Sequence, residues 1–587
     1  MDLVLRNGRI LDGSGGPAYE GDVGVRDGRI AAVGKVGAPG REEIDVGGAV
    51  IAPGFIDVHT HYDAQVFWDP YLTPSVFHGV TTVVAGNCGF TLAPLSGKPE
   101  DADYLLRMLS RVEGMPLSTL RQGVRPDWTS FGEFLDRIDR EAALNMAFMV
   151  GHSTLRRSVM GERAVGGKAK REDIEAMKTL LRASLKAGGV GFSTTVATPH
   201  QDYEGQPVPS RWADREEIVE LAAVAGEFPG TWLEMVFARE IFGEDEHSLM
   251  ADMSVAAGRF LNWNLLNVSS AVPQAMASQL QASDYARERG GKVLALVQAA
   301  PSKSLINFVT GFLLDTQPGW PEMLGLPHEE KKAALMDPAM RVRLAEASKN
   351  CESDLFRRKF ADWGAFFMEG VRPGKNECWN GRAVRDLAEE TGKAPFDALL
   401  DLVVEEDLKV SIFTAPRGTD DESWRMRARA WVDDRCVVGA SDAGAHLDMI
   451  DTFAFSTQLL GEGVRRRGLL SMEEGVRRIT SIPAERFGLI DRGSLAVGMH
   501  ADIVVFDPET VGSGPVESRF DLPGNELRLY ADAHGVHHVF VGGVTVVQDG
   551  ALTGKRGGGA LRSGRDTRTA PLTDRAAQAP ATSLAPA

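Results

Sequence analysis

Long hydrophobic runs are missing from this sequence of 587 residues. No window approaches the roughly 18 uninterrupted apolar residues that a membrane-spanning helix needs. The N-terminal segment MDLVLRNGRILDGSG also lacks the apolar stretch of a secretion signal. A membrane protein is therefore not expected, and the cytoplasm is the expected location.

Cysteine and concentrated positive charge are scarce as well. The four cysteines (Cys88, Cys351, Cys378 and Cys436) are too widely spaced for a disulfide framework. The formal net charge is −17, and Lys and Arg are not clustered in any segment. Binding to nucleic acid requires such clusters, so a small molecule is the expected partner, with neither nucleic acid nor a membrane involved.

The composition, with 43% apolar and 25% charged residues, is that of a globular protein. The length exceeds that of one ordinary core, which indicates a large domain with a smaller companion. Short β-branched segments with Asn-Gly and Asp-Gly turns occur near both ends of the chain. We expect residues 1–52 and 489–555 to form one small β-sandwich domain together, followed by a disordered tail, rich in Ala, Pro, Arg and Thr, over 556–587.

Strand-like and helical segments alternate through the middle of the chain. The strand-like runs include GVTTVVAGN, VGFSTT, GTWLEMVF, FLNWNLLNVSS, KVLALVQAA and CVVGASDAGAH, and the helical runs include REDIEAMKTLLRASLKAGG and REEIVELAAVAGEF. This alternation predicts an α/β fold, specifically a (β/α)₈ TIM barrel over residues 53–488. A doubly wound sheet is the alternative. The charged, helix-rich segment at about 311–381 is expected to be an insertion that caps a site.

Polar residues that can bind metal follow several of these predicted strands. They are His59 and His61 in GFIDVHTH, Cys88 in TTVVAGNC, Glu234 in TWLEM, Asn264 and Asn267 in LNWNLLN, and Asp442 and His446 in VVGASDAGAH. In barrels of this class, active sites lie at the carboxyl ends of the strands. The pattern therefore indicates one site built from several units.

The spacing of His59 and His61 suits a shared ion. Side chains alternate along a strand, so two histidines one residue apart point to the same face. A later aspartate at a strand end, Asp442, can share that ion and take a proton from its water. Zn²⁺ accepts nitrogen, sulfur and carboxylate ligands and lowers the pKa of a bound water to about 7. The implied reaction is hydrolysis.

GFIDVHTH, together with a β-domain split between the two chain ends, resembles the amidohydrolase superfamily. The closing segment ITSIPAERFGLIDRGSLAVGMHADIVVFDP resembles the return of that superfamily from the barrel to the β-domain. GVTTVVAGNCGFTLAP and VGHSTLRRSVMG are similar to the D-aminoacylase (N-acyl-D-amino-acid deacylase) branch. The resemblance covers most of residues 1–270 and 430–550 and is weak between them.

This resemblance implies roles for four residues. His59 and His61 correspond to the metal ligands after strand 1, and Cys88 to the thiolate ligand after strand 2. Asp442 corresponds to the ligand after strand 8 that also acts as general base. The simpler alternatives are a small buried hydrophobe for Cys88 and a helix cap for Asp442.

Two positions depart from the branch pattern. Glu234 stands where the branch has a histidine after strand 5, and Asn264 or Asn267 stands nearest to the histidine expected after strand 6. Glutamate is a good zinc ligand, whereas asparagine is a poor one. We therefore expect one tightly bound ion, zinc or another divalent metal, held by His59, His61 and Asp442 with help from Cys88 or Glu234. A buried ion-pair role is the alternative for Glu234.

Asn264, Asn267, His446 and His152 are candidates for substrate contact. His446 either faces the substrate or orients Asp442, and His152 either contacts the substrate or makes structural hydrogen bonds. Arg156, Lys303 and Arg417 are candidates for binding a substrate carboxylate, with a surface role as the alternative.

The resemblance implies cleavage of a small-molecule amide, an N-acyl D-amino acid or a related compound. In this mechanism Asp442 removes the proton of the attacking water and returns it to the departing nitrogen. The alternative hypothesis is an amidohydrolase fold that has lost hydrolysis and now binds a small molecule.

Overall fold

The structure, a computed structural model, describes residues 1–309, 311, 313–314, 317–349, 359–371, 374–414 and 417–573. Cys351 and parts of the expected insertion lie outside these residues. Cys88, Cys378 and Cys436 are free thiols.

Two sheets of parallel strands form the centre of a mixed α/β fold. One sheet has the strand order β6 (Phe55–Asp57), β7 (Val80–Ala85), β8 (Asn145–Phe148), and the other has the order β9 (Val150–Gly151), β10 (Gly191–Thr195), β11 (Trp232–Val236), β12 (Leu261–Asn264), β13 (Val293–Val297), β17 (Cys436–Val438). Only Met149 separates β8 from β9. At the other end, a parallel bridge between Thr60 and Ala443 connects the segment after β6 to the segment after β17.

The strands have the apolar composition of a parallel sheet that is covered on both faces. β7, β11 and β13 are buried along their whole length. The helices between the strands are amphipathic. In Arg171–Ala187, the buried Ile174, Met177, Leu181 and Leu185 recur every three or four residues, and the helix ends at Gly188, whose φ is +125°. The predicted alternation of strands and helices is therefore confirmed for these elements.

The α-helices of the described chain are Pro99–Val112, Leu117–Gly123, Phe131–Glu141, His152–Met160, Arg171–Ala187, Arg215–Ala225, Glu244–Ala257, Pro273–Glu288, Trp320–Leu324, His328–Met336, Pro338–Lys349, Val384–Thr391, Pro395–Glu405, Asp421–Val432, Phe455–Gln458, Met472–Arg478 and Ser481–Arg486, and a π-helix spans Leu459–Arg466. Over the ranges given above, none of the helices combines the length and the apolar character needed to span a bilayer.

Both ends of the chain contribute to one nine-stranded sheet. Its strands are β1 (Leu3–Ile10), β2 (Tyr19–Arg26), β3 (Arg29–Gly34), β4 (Glu42–Asp45), β5 (Val50–Pro53), β18 (Ile503–Phe506), β21 (Val536–Val541), β22 (Val544–Gln548) and β23 (Ala551–Leu552). The strand β18 pairs with β5 and so joins the two ends. A long hairpin, β19 (Gly512–Leu522) and β20 (Glu526–His534), forms a separate two-stranded sheet.

The Asn7-Gly8 pair predicts a hairpin turn, and this prediction is wrong. Asn7 and Gly8 lie inside β1, at a shift of register against β2, and Asn7 has a φ of +57°. The pair therefore forms a bulge rather than a hairpin turn. A side chain at Gly8 would also collide with Ile51, because an added Cβ would lie 2.3 Å from its Cδ1 atom. Asp27-Gly28, by contrast, does connect β2 to β3.

The segment that interrupts the alternation has its own hydrophobic core. Its small sheet consists of β14 (Ile306–Asn307), β16 (Ser411–Phe413) and β15 (Phe367–Glu369). Trp320, Phe366 and Leu399 belong to its apolar cluster, which is separate from the main core. This segment therefore runs from about 306 to 413, longer than the expected 311–381.

The expected disordered tail from residue 556 is wrong for residues 556–573. The strand β24 (Gly559–Leu561) pairs in parallel with β8, and Leu561 is buried. Thr567 is also buried and donates a hydrogen bond to the carbonyl of Gly230 at 2.6 Å. Pairing with a distant strand overrides the local composition here. The rest of the expected tail, 574–587, lies outside the described residues.

Candidate active site

The segment after β6 carries His59 and His61 between two neighbouring strand ends. The Thr60 N–H donates to the carbonyl of Val84 at 2.9 Å, and the His61 N–H donates to that of Ala443 at 2.8 Å. Both imidazoles are buried, and their ring centroids lie 5.4 Å apart. The backbone therefore fixes both rings at the carboxyl ends of the strands.

Cys88 lies between the two imidazoles. Its Sγ is 3.5 Å from Nε2 of His59 and 3.6 Å from Nε2 of His61. Cys88 has a φ of +58°, a conformation that costs free energy for a residue with a side chain. The surrounding structure must therefore hold it there. Among the described residues, this buried trio has the ligand atoms and the proximity that one metal ion requires.

Asp442 reaches the same point from the segment after β17. Its Oδ1 lies 3.1 Å from Nε2 of His59 and 3.8 Å from Nε2 of His61. The Asp442 N–H donates to the carbonyl of His59 at 3.1 Å, and Asp442 also has a positive φ, +50°. Sequence positions more than 380 apart therefore converge as expected.

Glu234, on β11, lies behind His59 rather than among the three clustered ligand atoms. Its Oε2 accepts the backbone N–H of Cys88 at 2.8 Å. Its Oε1 lies 4.0 Å from Nδ1 of His59, and both of these buried atoms are without a hydrogen-bond partner. The carboxylate thus faces the ring nitrogen of His59 that points away from Asp442. A role for Glu234 as a direct ligand stays a prediction.

Asn264 and Asn267 occupy different environments. Asn264, at the end of β12, points its Nδ2 to within 3.4 Å of both His59 Nε2 and Asp442 Oδ1. Asn267 is exposed and uses its backbone N–H to bind the side-chain oxygen of Gln279. The structure therefore brings Asn264 into the site and leaves Asn267 at its edge.

His446 and a residue that the sequence did not suggest, Glu113, lie on the other side of His61. Glu113 Oε1 is 3.4 Å from Nδ1 of His61, and Glu113 Oε2 is 3.8 Å from Nε2 of His446. Glu113 follows the helix Pro99–Val112 directly and belongs to no motif. Its carboxylate faces both imidazoles and can orient them.

His152 binds other partners. Its Nδ1 lies 2.9 Å from Thr194 Oγ1, and its Nε2 lies 2.9 Å from Glu217 Oε1. Glu217 also forms an ion pair with Arg156, at 2.5 Å. Because both ring nitrogens are used, the geometry favours the structural alternative for His152, and the predicted substrate contact stays a prediction.

Two of the basic candidates for a substrate carboxylate are also paired. Lys303 forms an ion pair with Glu369 and lies over the ring of Phe413. Arg417 is 54% exposed and lies 3.8 Å from Glu240. Arg156, as described above, is buried with Glu217. Each of these three cations therefore lies beside an acidic partner, and none of the three lies at the histidine cluster.

His200, in the loop after β10, is a second residue that sequence analysis missed. It is buried, and its Nδ1 lies 2.8 Å from Thr195 Oγ1. Its pKa is lowered to about 3, mainly by burial; the charge of nearby His446 also lowers this pKa, whereas that of Asp442 raises it. The only feature of the sequence that could have pointed to His200 is its position shortly after the predicted strand VGFSTT.

The site collects buried acids whose charges disfavour one another. Burial raises the pKa of Glu234 to about 8 and the pKa of Glu113 well above its usual range, and nearby Asp442 contributes to both. Burial and the same carboxylates also raise the pKa of the Cys88 thiol. Asp442 is the exception. Burial raises its pKa, but the hydrogen bond with His59 and the charges of the histidines lower it to about 2. A cation bound among these groups would relieve their repulsion.

A cavity of about 260 Å³ opens at the carboxyl ends of β12 and β13. Leu265, the residue directly after Asn264, forms part of its wall, together with Asn267 and Gln298. A second cavity of about 300 Å³ lies between the helix Pro99–Val112 and the inserted segment, and Asp448 lines it. The first cavity is therefore next to the residue that contacts both His59 and Asp442.

Comparison with known proteins gives consistent matches. The pattern of the Amidohydrolase family matches residues 42–547. The chain is 31% identical to the D-aminoacylase of Alcaligenes xylosoxydans xylosoxydans, over 96% of this chain and 97% of that protein. It is 29% identical to the N-acyl-D-aspartate deacylase of the same organism, over 94% and 93%.

A solved structure gives a similar match. It is the N-acyl-D-glutamate deacylase of Bordetella bronchiseptica, in complex with zinc and a phosphonate inhibitor that mimics the tetrahedral intermediate of the reaction. This structure aligns with a TM-score of 0.64 at 26% identity, over 96% of this chain and 100% of that chain.

Proposed function

Because this chain belongs to the amidohydrolase family, we propose that it is a metal-dependent hydrolase that cleaves the amide bond of an N-acyl amino acid. The D-aminoacylase and deacylase relatives support this substrate class. Because the same relatives act on D-amino acid derivatives by name, we infer that the preferred substrate has the D configuration. The observation that carries the proposal is the buried cluster of His59, His61 and Cys88, with Asp442 Oδ1 3.1 Å from His59 Nε2 and 3.8 Å from His61 Nε2.

The donor set fits a divalent cation. Two imidazole nitrogens, a thiol and a carboxylate are the ligand types that zinc prefers. Burial and nearby carboxylates raise the pKa values of Glu113 and Glu234 and so disfavour their charged forms, and a cation bound there would favour ionisation of both. We propose that His59, His61, Cys88 and Asp442 hold the ion. A zinc ion bound there would supply Lewis-acid chemistry, lowering the pKa of water and polarising the acyl carbonyl.

Glu234 and Glu113 are placed to act through the ligands. Glu234 binds the backbone N–H of Cys88 and faces Nδ1 of His59, while Glu113 faces Nδ1 of His61. Carboxylates behind ligating histidines fix the ring orientation and its tautomer. Each histidine then offers Nε2 to the common point. We propose that these two glutamates are positioning residues.

The proposed chemistry uses Asp442 as the proton carrier. Its low pKa keeps the carboxylate ionised at neutral pH, so it can accept a proton from the water that attacks the acyl carbon. When the carbon–nitrogen bond breaks, the same carboxyl group returns the proton to the departing amine. The amide N–H groups of Asn264, 3.4 Å from Asp442, are placed to donate to the acyl oxygen as it gains charge.

We also infer that the central strands form a closed (β/α)₈ barrel that carries this site. The parallel pairings run without interruption from β9 to β17, and Met149 alone separates β8 from β9. The bridge between Thr60 and Ala443 connects the remaining two ends. The predicted domain boundaries, 1–52, 53–488 and 489–555, fit this arrangement and stay a proposal.

The test is an assay of acyl release with the full chain loaded with zinc. A panel of N-acetyl-D-amino acids, with the L enantiomers as controls, is incubated with the protein, and acetate is measured. We expect release from at least one D substrate and little from its L enantiomer. A protein that binds zinc at the predicted residues but releases no acetate from any member would contradict the proposal and favour a fold that has lost hydrolysis.

A further inference from the structure

One arginine that sequence analysis did not single out lines the cavity beside Asn264. Arg427 lies on the helix Asp421–Val432, which leads into β17. Its side chain contributes to the cavity wall together with Leu265 and Asn267. The cavity wall therefore contains both the guanidinium of Arg427 and Leu265, the residue that directly follows Asn264.

Arg427 is buried and only partly satisfied. It is 4% exposed, and its Nη1 donates to the carbonyl of Gly418 at 3.2 Å. Its Nε is buried and makes no hydrogen bond. Burial lowers the pKa of the guanidinium to about 10, so it remains charged at neutral pH. A buried cation costs free energy unless an anion accompanies it, and an anion in the cavity that Arg427 lines would offset this cost.

The nearest acid does not fill that role. Asp420 is close enough to raise the pKa of Arg427, but it caps the helix and binds other groups. Its Oδ1 accepts the backbone N–H of Ser423 and the hydroxyl of Ser270, each at 2.9 Å. The hydroxyl of Ser423 donates to its Oδ2 at 2.6 Å. Asp420 is therefore committed as a helix cap.

The rest of the cavity suits one end of a small amphiphilic molecule. Leu266, Val268, Val297 and Ile306 supply apolar surface. The volume of about 260 Å³ is near the lower limit of typical ligand sites, about 300 Å³. The wall also contains polar side chains, including Arg417 and Glu240, which lie 3.8 Å apart. Apolar surface beside the buried guanidinium of Arg427 suits a carboxylate attached to a hydrocarbon group.

We propose that Arg427 is the residue that recognises the carboxylate of the substrate and thereby restricts this enzyme to N-acyl amino acids rather than simple amides. The inference rests on the proposed function. The carboxylate binds the guanidinium from the cavity, the side chain of the amino acid packs against the apolar wall, and the scissile amide extends past Leu265 towards Asn264 and Asp442. Arg417, at the exposed rim and beside Glu240, is not required.

The experiment compares two substrates that differ only in charge. An N-acetyl-D-amino acid and its C-terminal carboxamide are assayed by acetate release with the wild type, Arg427→Met and Arg427→Lys. Arg467→Met is the matched control. Both guanidinium groups lie over the ring of Trp424, Arg427 at 5.2 Å and Arg467 at 4.5 Å from its centroid, but Arg467 does not line the cavity. Circular dichroism checks that each variant is folded.

We expect the wild type to prefer the carboxylate substrate by at least tenfold in kcat/KM. Arg427→Met should lower kcat/KM for this substrate by about 10- to 100-fold, mainly through KM, and leave the carboxamide nearly unchanged. Arg427→Lys should recover part of the loss, and Arg467→Met should resemble the wild type.

Two results would overturn the inference. The first is a wild type that hydrolyses both substrates equally, an outcome that does not depend on whether any variant folds. The second is an equal loss for both substrates in folded Arg427→Met, because this would show that Arg427 only supports the loop at Gly418. A wild type that cleaves neither substrate would instead contradict the proposed function.

Discussion

Asp442 Oδ1 lies 3.1 Å from Nε2 of His59, although the two residues are 383 positions apart in the chain. The backbones of the two residues are also joined, because the Asp442 N–H donates to the carbonyl of His59 at 3.1 Å. This double connection fixes the carboxylate relative to the ring. A small change at either residue should therefore affect the chemistry more than the fold.

The carboxylate of Asp442 should be essential for turnover. Asp442→Asn keeps the size of the side chain but removes its ability to accept a proton, so we expect kcat to fall by about 10²- to 10⁴-fold. Steady-state assays at saturating zinc measure this loss. Asp421→Asn is the control, because the Asp421 side chain is 82% exposed and its loss should leave kcat unchanged. An Asp442→Asn variant within threefold of the wild type would exclude Asp442 as the proton carrier.

Glu234 should control metal affinity through His59 and Cys88. Glu234→Gln removes the charge that faces Nδ1 of His59, and we expect zinc affinity to fall by about 10- to 100-fold, with activity recovered at high zinc concentration. Competition with a fluorescent zinc chelator gives the affinity. A direct ligand would behave differently: its loss would not be recovered by excess zinc, and that result would restore Glu234 to the ligand set.

The strand β24 should contribute to stability through Leu561. This side chain is 3% exposed, so Leu561→Ala should lower the free energy of unfolding by about 2–4 kcal/mol. Leu552→Ala is the matched control, because Leu552 on β23 is 38% exposed and should cost well under half of that amount. Urea denaturation measures both variants. Equal, small effects would mean that the segment 556–573 does not pack as described.

The buried His78 should make stability depend on pH. Its Nδ1 lies 2.6 Å from Thr457 Oγ1, its Nε2 lies 3.0 Å from the carbonyl of Ala531, and burial lowers its pKa to about 4. The unfolded chain, with an ordinary histidine pKa of about 6.5, binds the proton first. Stability from this group is therefore complete above pH 6.5 and falls as the pH decreases towards 4, by about 1.4 kcal/mol per unit.

The measurement is the free energy of unfolding between pH 7.5 and 4.5 for the wild type and for His78→Asn. The variant should be less stable at pH 7.5 but should lose less stability on acidification. His537→Asn is the control, since His537 is exposed. Identical slopes for His78→Asn and the wild type would show that the pKa of His78 does not differ between the folded and unfolded chains.

The sequence predicted the parts of the site that carry motifs. His59, His61, Cys88 and Asp442 follow apolar strands, and the carboxyl ends of parallel strands meet at one edge, so their convergence could be anticipated. Glu113 could not be anticipated, because it follows a helix and only packing brings it beside His61. The strand-sized apolar runs likewise predicted β7, β10, β11, β12, β13 and β17, and the 3.6-residue periodicity predicted the helices Arg171–Ala187 and Arg215–Ala225.

Other parts of the fold depended on contacts that no local pattern records. Asn7-Gly8 has the composition of a hairpin turn, but the pairing of β1 with both β2 and β4 makes it a bulge. Residues 559–561 have a weak strand pattern and are ordered by pairing with β8. Arg427 lies on an amphipathic helix that predicts only a solvent-facing cation. Tertiary structure determined all three.

The metal content of the purified protein tests the central claim most directly. Inductively coupled plasma mass spectrometry of the wild type, His59→Ala, His61→Ala and the exposed control His537→Ala should find about one zinc per chain in the wild type and the control. The two active-site variants should retain well under half of that amount and show no hydrolysis. Wild-type protein that contains no divalent metal and remains active in the presence of a chelator would contradict the account.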